Sequence, residues 1–140
     1  MQSVNNIIFL LLLGWIAVED LKHRRIPNSL VICLFLWGIY SNGMTGEWNS
    51  SVKGALLAGG SMLIFYIVFR RGIGAGDVKL LTVVGFYVGC EKIWELLFAI
   101  FLTAAVWGIW IHIIRKDQIK TIPLAVCVLL GVIFHMGNIF

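Results

Sequence analysis

The sequence is short of cysteine, proline and charge, and each shortage excludes a class of protein. Its three cysteines, Cys33, Cys90 and Cys127, are odd in number and include no close pair, which argues against a disulfide framework and against a zinc site. Only two prolines occur, and no long linker or low-complexity stretch divides the 140 residues. Charged residues make up 13% of the chain, so no basic soluble face is available to bind nucleic acid, although the formal net charge is +4.

Apolar residues are abundant: they make up 60% of the sequence, and the mean hydropathy is +0.95. Soluble domains are nearer to about 45–50% apolar. The pattern predicts an all-α polytopic membrane protein with about six transmembrane helices, organised as a single transmembrane domain over residues 1–140. A helix that crosses a bilayer upright needs about 20 residues, and several of the segments are shorter than this. The six segments are Val4–Val18, Asn28–Tyr40, Gly54–Phe69, Val78–Gly89, Ile93–Ile114 and Ile122–Phe140.

The distribution of positive charge predicts how the segments are oriented. Nine of the 11 lysines and arginines lie in the loops after the first, third and fifth segments, whereas the other side has only Lys53 and Lys92. The positive-inside rule therefore places the three basic loops in the cytoplasm and both termini outside it. The loop Ser41–Val52, whose composition is typical of turns, is then extracytoplasmic. The nine basic residues are Lys22, Arg24, Arg25, Arg70, Arg71, Lys79, Arg115, Lys116 and Lys120.

A glycine-rich stretch, Gly72–Gly76, precedes Asp77 at the start of the fourth segment. A carboxylate at the edge of a membrane segment is costly and usually has a function. From Val78 to Cys90 a helix would be only about 20 Å long, whereas the hydrocarbon core is about 30 Å thick. Asp77 is therefore expected below the cytoplasmic surface, preceded by a glycine-rich loop of non-helical backbone, in a polar cavity.

A second aspartate, Asp20, ends the first segment on the same side. Two neighbouring aspartates can share a proton, so that one acts as base on a water molecule and the other as acid. Serine and cysteine lack a recognisable histidine partner, and the three histidines are scattered, so we expect neither a metal nor a cofactor. The helix dipole favours Asp77, at a helix start, as the base and Asp20, at a helix end, as the acid, whereas the basic residues that follow Asp20 favour the opposite assignment.

Less specific interpretations of the same residues remain open. Asp20 could be a surface ion-pair partner of the basic loop that follows it, and Lys79 could be an interfacial side chain. Paired carboxylates also occur in proton-coupled carriers, although carriers place their acids near the midplane. A non-catalytic assembly scaffold is a third alternative. Small-residue pairs such as Gly54 with Ala58 and Gly85 with Gly89 predict close helix packing.

Three motifs resemble those of the type IV prepilin leader peptidases, which are membrane aspartyl proteases of the Gly-x-Gly-Asp type. The resemblance covers nearly the whole chain and implies that Asp20 and Asp77 are the catalytic pair. It also assigns supporting or substrate-binding roles to Pro27, Asn28, Gly74, Gly76 and Lys79. The motifs read Asp20-Leu21-Lys22-His23-Arg24-Arg25-Ile26-Pro27-Asn28, then Gly74-Ala75-Gly76-Asp77-Val78-Lys79-Leu80, and more weakly Ile122-Pro123-Leu124-Ala125.

The resemblance implies a substrate class and a location. The substrates would be prepilin or pilin-like precursors, cut between a short basic leader and an apolar helix at the cytoplasmic face of the inner membrane, in contact with lipid. The longer members carry paired cysteines linked to N-methylation of the new terminus. This sequence has no Cys-x-x-Cys and looks like the short form that serves tight-adherence (Flp) pili, so the resemblance leaves open whether this chain also methylates. A preflagellin-type substrate is the alternative, and the oligomeric state is left open.

Overall fold

The fold is helical throughout the part of the chain that the computed structural model describes, which comprises residues 2–23, 26–68, 74–114 and 124–137. This confirms the all-α class for those residues. The predicted basic loops lie largely outside them, as do Ile122 and Pro123 of the third motif. The six helices are α1 (Gln2–His23), α2 (Asn28–Thr45), α3 (Trp48–Val68), α4 (Ala75–Val88), α5 (Ile93–Ile114) and α6 (Leu124–Gly137).

Two of the helices are long and apolar enough to cross a membrane. They are the segments Val4–His23 of α1 and Trp48–Val68 of α3, whereas the apolar stretches Ile93–Val106 and Leu124–Phe134 are shorter within the described residues. Many large apolar side chains are exposed on the outside of the bundle, which suits contact with lipid. Examples are Leu11, Trp15, Leu56, Ile64, Phe98 and Phe134. A membrane protein is thus indicated, and six spans remain an expectation.

The connection between α2 and α3 is much shorter than predicted. The stretch Ser41–Val52 is mostly helical, because α2 continues to Thr45 and α3 begins at Trp48. Gly46 ends α2 in the left-handed conformation, at φ 74°, and its N–H donates to the Asn42 carbonyl oxygen at 2.9 Å. Glycine adopts this conformation without a steric penalty, so a single residue suffices to end the helix. The expectation of a long turn-rich loop was wrong.

Helices α3 and α4 pack with their backbones in contact. A methyl group added to Gly54 would collide with the Gly85 carbonyl oxygen and lie 2.7 Å from the Gly89 carbonyl carbon. A methyl group on Gly85 would in turn lie 2.6 Å from Cβ of Ala58. The packing role predicted for these small residues is therefore confirmed.

Helix α4 is held at its C-terminal end by polar contacts from three other helices. The buried Asn42 donates from Nδ2 to the Phe86 carbonyl oxygen at 2.9 Å, and the Tyr87 hydroxyl donates to Oδ1 of Asn6 at 2.8 Å. The Cys90 N–H donates to the Ser50 carbonyl oxygen at 3.0 Å. Asn42 satisfies one of the last carbonyls of α4, which have no partner within the helix. The other two contacts give partners to donors that would otherwise be unpaired in an apolar environment.

The order of neighbours brings several helix ends together. Helix α1 contacts α2 and α6, and α4 contacts α2, α3 and α6. At one end of the bundle, which we call the aspartate end, α1 finishes and α2, α4 and α6 begin. Contacts between Asp20 and Ala125 and between Lys79 and Asn28 join these helix ends directly.

Candidate active site

Asp77 lies in the first turn of α4. This helix begins at Ala75 rather than at Val78, so Gly76 and Asp77 are helical. The Gly74 N–H donates to Oδ2 of Asp77 at 3.0 Å. An acidic side chain at the third helical position that accepts the N–H of the capping residue is half of a capping box, and it stabilises the helix start. This interaction explains why the helix starts three residues earlier than predicted.

The glycines before Asp77 therefore have different roles. Gly74 is the extended capping residue, at φ −85° and ψ 149°, while Gly72 lies outside the described residues. Gly76 is helical, which corrects the expectation of non-helical backbone up to this residue. A methyl group at Gly76 would lie 3.2 Å from Cβ of Ile26, so the absence of a side chain allows the chain that follows α1 to approach the first turn of α4.

Asp20 lies in the last turn of α1 and is buried, with 7% of its surface exposed. Its Oδ2 accepts a hydrogen bond from the backbone N–H of Ala125, the second residue of α6, at 3.4 Å. The exposed pair on this turn is instead formed by Glu19 and His23, at 3.3 Å. The burial of Asp20 argues against the interpretation of this carboxyl as a surface ion-pair partner, because an unpaired charge is rarely buried without a function.

Asp20 and Asp77 lie at the same end of the bundle, the aspartate end. They are near enough for the charge of Asp20 to act on the carboxyl group of Asp77. Each carboxyl group has one oxygen, Oδ2, that accepts a backbone N–H at a helix N-terminus. Two coupled carboxyl groups can hold a single proton between them and act together on a water molecule.

This arrangement weakens the prediction that Asp20 is the acid. That prediction rested on the unfavourable dipole at the end of α1. The structure places the N-terminus of α6 at the same carboxyl group, through the Ala125 N–H. The favourable end of one helix dipole thus offsets the unfavourable end of another, so the dipoles do not distinguish the roles of Asp20 and Asp77.

The other predicted residues, Pro27, Asn28 and Lys79, lie at the starts of α2 and α4, at the same end of the bundle. Pro27 is the capping residue of α2, at φ −68°. Asn28 is the first residue of α2, and its Oδ1 accepts a hydrogen bond from Nζ of Lys79 at 3.2 Å. This exposed contact joins the starts of α2 and α4, so Lys79 has a partner in the protein in addition to any contact with the membrane interface.

Sequence reasoning gave no role to two residues that contact this site. Ala125 contributes its backbone N–H to Asp20, and Ile26 packs on Gly76. The weak third motif was the only signal that could have drawn attention to Ala125. Within the described ranges, no three histidine, cysteine or acidic side chains are grouped so that they could hold a metal ion.

Comparison with known proteins agrees with the motifs. The family model described as the type IV leader peptidase family matches residues 7–111. None of the solved structures matches the chain.

Several curated proteins are similar to this chain. The prepilin leader peptidase/N-methyltransferase of Pectobacterium carotovorum is 28% identical, over 93% of this chain and 50% of its own length. The protein of the same name in Escherichia coli K12 is 27% identical, over 87% and 57%. The prepilin peptidase EppA of Methanocaldococcus jannaschii is 29% identical, over 99% and 42%. The chain thus spans about half the length of the curated relatives that it matches. The match to the family model over most of the sequence shows that the chain belongs to the type IV leader peptidase family.

Proposed function

We propose that this chain is a membrane aspartyl endopeptidase that removes the short basic leader from type IV prepilin-like precursors. The observation that carries the proposal is that Asp20 and Asp77, from two different helices, lie at the same end of the bundle, within range of each other's charge. The relatives that are named prepilin leader peptidases support the substrate class. In the proposed orientation the chain spans the inner membrane, with the aspartate end on the cytoplasmic side and both termini on the extracytoplasmic side.

The reaction needs one ionised and one protonated carboxyl group. The carboxylate takes a proton from a water molecule as the water oxygen bonds to the scissile carbonyl carbon, and the carboxylic acid gives its proton to the carbonyl oxygen. Collapse of the tetrahedral intermediate breaks the C–N bond. The leaving nitrogen takes the proton that came from water, and the hydroxyl proton of the intermediate returns to the second carboxylate. The pair is then ready for another turnover, with no net change in its protons.

The residues around the pair support binding of a peptide beside the membrane. Because the backbone of an intact helix is hydrogen-bonded, the scissile bond must lie just outside the apolar helix of the precursor. The close approach of Gly76 to Ile26 leaves little room, which favours a small substrate residue before the cut. The contact between Lys79 and Asn28 would hold α2 and α4 together beside the peptide.

The alternatives are not favoured. A proton-coupled carrier would place its acids near the bilayer midplane, whereas Asp20 and Asp77 lie at helix ends. The matched relatives described above are named as prepilin peptidases, including the archaeal one, so a preflagellin substrate has no specific support.

The test is co-expression of the chain with a candidate prepilin, followed by a gel-shift assay for loss of the leader. We expect Asp20→Asn and Asp77→Asn each to abolish cleavage while the protein still inserts in the membrane, because asparagine keeps the size and removes the ionisable group. Glu19→Gln is the matched control, since Glu19 precedes Asp20 on the same helix and pairs with His23 instead. Cleavage near the wild-type level by either asparagine variant would exclude an aspartyl mechanism.

A further inference from the structure

The start of α6 has no role in the mechanism proposed above, yet it touches the aspartate pair. Ala125 is the second residue of α6, and its backbone N–H donates to Oδ2 of Asp20 across 105 positions of sequence. The first N–H groups of any helix lack partners within the helix. One of these unpaired donors is therefore satisfied by a carboxyl group of the candidate active site.

Asp20 needs such a partner because it is buried and lies at the wrong end of its own helix. Only 7% of its surface is exposed, and the last turn of α1 disfavours negative charge. A buried carboxylate without a donor is strongly disfavoured. The Ala125 side chain is itself fully buried, and α6 packs along α1, so the donor is held in place by the core.

The hydrogen bond between the Ala125 N–H and Oδ2 of Asp20 has a geometry that suits orientation of a reacting carboxyl group. The distance from the Ala125 nitrogen to Oδ2 of Asp20 is 3.4 Å, whereas a relaxed N–H···O hydrogen bond measures about 2.7–3.2 Å. Hydrogen bonds of catalytic groups are often loose before substrate binds and tighten afterwards. Asp77 is held in the corresponding way, since its Oδ2 accepts the Gly74 N–H at 3.0 Å. In both aspartates one oxygen is anchored by a helix N-terminus and the second, Oδ1, has no hydrogen bond from the described part of the chain.

We propose that the backbone N–H of Ala125 is a positioning group for Asp20, and that this single donor at the start of α6 is therefore part of the peptidase machinery. The proposal rests on the proposed function. The N–H holds Oδ2 so that Oδ1 faces the water molecule shared with Asp77. Leu124 and Ala125, the two residues of the weak third motif that the structure describes, then have a physical role, which is to place a helix N-terminus at Asp20.

The experiment removes the N–H and keeps the side chain and the shape of the backbone. The α-hydroxy analogue of alanine, incorporated at position 125 by nonsense suppression, replaces the amide with an ester of the same shape. The ester carbonyl is also a weaker acceptor than the amide carbonyl, which a second ester controls for. The matched control is the α-hydroxy analogue of valine at position 126. The Val126 N–H belongs to the same helical turn but donates no hydrogen bond to Asp20. Both proteins are purified in detergent, and cleavage of a prepilin is measured at several substrate concentrations.

We expect the ester at position 125 to lower kcat by about 10- to 100-fold, as for loss of a hydrogen bond to a charged group, with little change in KM. The ester at position 126 should retain the wild-type kcat. Equal kcat values for the two esters, in an assay in which the wild type cleaves and Asp20→Asn does not, would overturn the positioning role and leave the proposed function intact.

An infrared measurement tests the same contact without any need for activity. The carboxyl bands of Asp20 are identified by difference from Asp20→Asn. They should shift in the ester at position 125 and stay in place in the ester at position 126, because only the first change removes a donor to Oδ2. Unshifted bands in both esters would overturn the inference even if the chain proved to cleave no prepilin.

Discussion

The contact between α3 and α4 offers a sharp test of the structure, because two glycines of the same helix differ in their surroundings. Gly54 faces α4, and a Cβ at this position would lie 2.7 Å and 2.9 Å from the carbonyl carbon and Cα of Gly89, as well as colliding with the Gly85 carbonyl oxygen. A Cβ on Gly60 would meet no atom within 4 Å. The pair Gly54→Ala and Gly60→Ala thus makes the same chemical change with and without an obstacle.

The magnitude follows from these distances. All three obstacles are backbone atoms that cannot rotate away, so α3 and α4 must separate by about 0.5–1 Å to restore ordinary contact. Overpacking of this kind costs about 1–3 kcal/mol. At Gly60 the same substitution should stabilise the protein by about 0.5–1 kcal/mol, because alanine has less conformational freedom to lose in a helix. The gain from replacing glycine by alanine applies at both positions, so the two variants should differ in their free energy of unfolding by the cost of overpacking, about 1–3 kcal/mol.

The assay is thermal unfolding of both purified variants in the same detergent, followed by tryptophan fluorescence. A difference of about 1–3 kcal/mol corresponds to a gap in Tm of at least about 3 °C for a chain of this size. Gly54→Ala should also cleave prepilin more slowly, because α4 carries Asp77. A Gly54→Ala variant that melts at or above the Tm of Gly60→Ala would refute the close packing of α3 against α4.

Three other predictions follow from single contacts. Asn42→Leu should lower the free energy of unfolding by about 1–3 kcal/mol in chemical or thermal denaturation, because it leaves the Phe86 carbonyl oxygen at the end of α4 without its buried donor; unchanged stability would show that this contact is unimportant. Gly76→Val should lower kcat for prepilin cleavage at least about tenfold, because its side chain would press on Ile26 and displace the first turn of α4; wild-type kcat would contradict the tight approach inferred here. A reporter inserted at Gly46 should report the extracytoplasmic side and one placed in the loop after α3 the cytoplasmic side; the opposite result would put the aspartates in the wrong compartment for a cytoplasmic leader.

Local chemistry accounts for what was predictable about the site. A glycine followed three residues later by an acidic residue is a local signal for the start of a helix. It depends only on residues near each other in the sequence, so the position of Asp77 at the edge of α4 follows from the sequence. The boundary of that helix was missed by three residues, because the bond between Asp77 and Gly74 favours a start at Ala75 rather than at the first run of apolar residues. Likewise, the composition of Ser41–Val52 suggested turns, but one left-handed glycine was enough to end α2.

The sequence by itself determined that this chain is an apolar, helical protein with small residues for close packing and with an aspartate at each of two segment ends. These properties depend on composition and on spacings of a few residues, which are the same in any fold. Only the tertiary structure decided that Gly54 meets Gly85, that Asp20 is buried, and that the donor to Asp20 comes from Ala125. A backbone N–H is present in every residue except proline, so nothing in the sequence distinguishes the one that reaches a carboxyl group. The Ala125 N–H donates to Asp20 because α6 packs against α1, which brings together residues that are 105 positions apart.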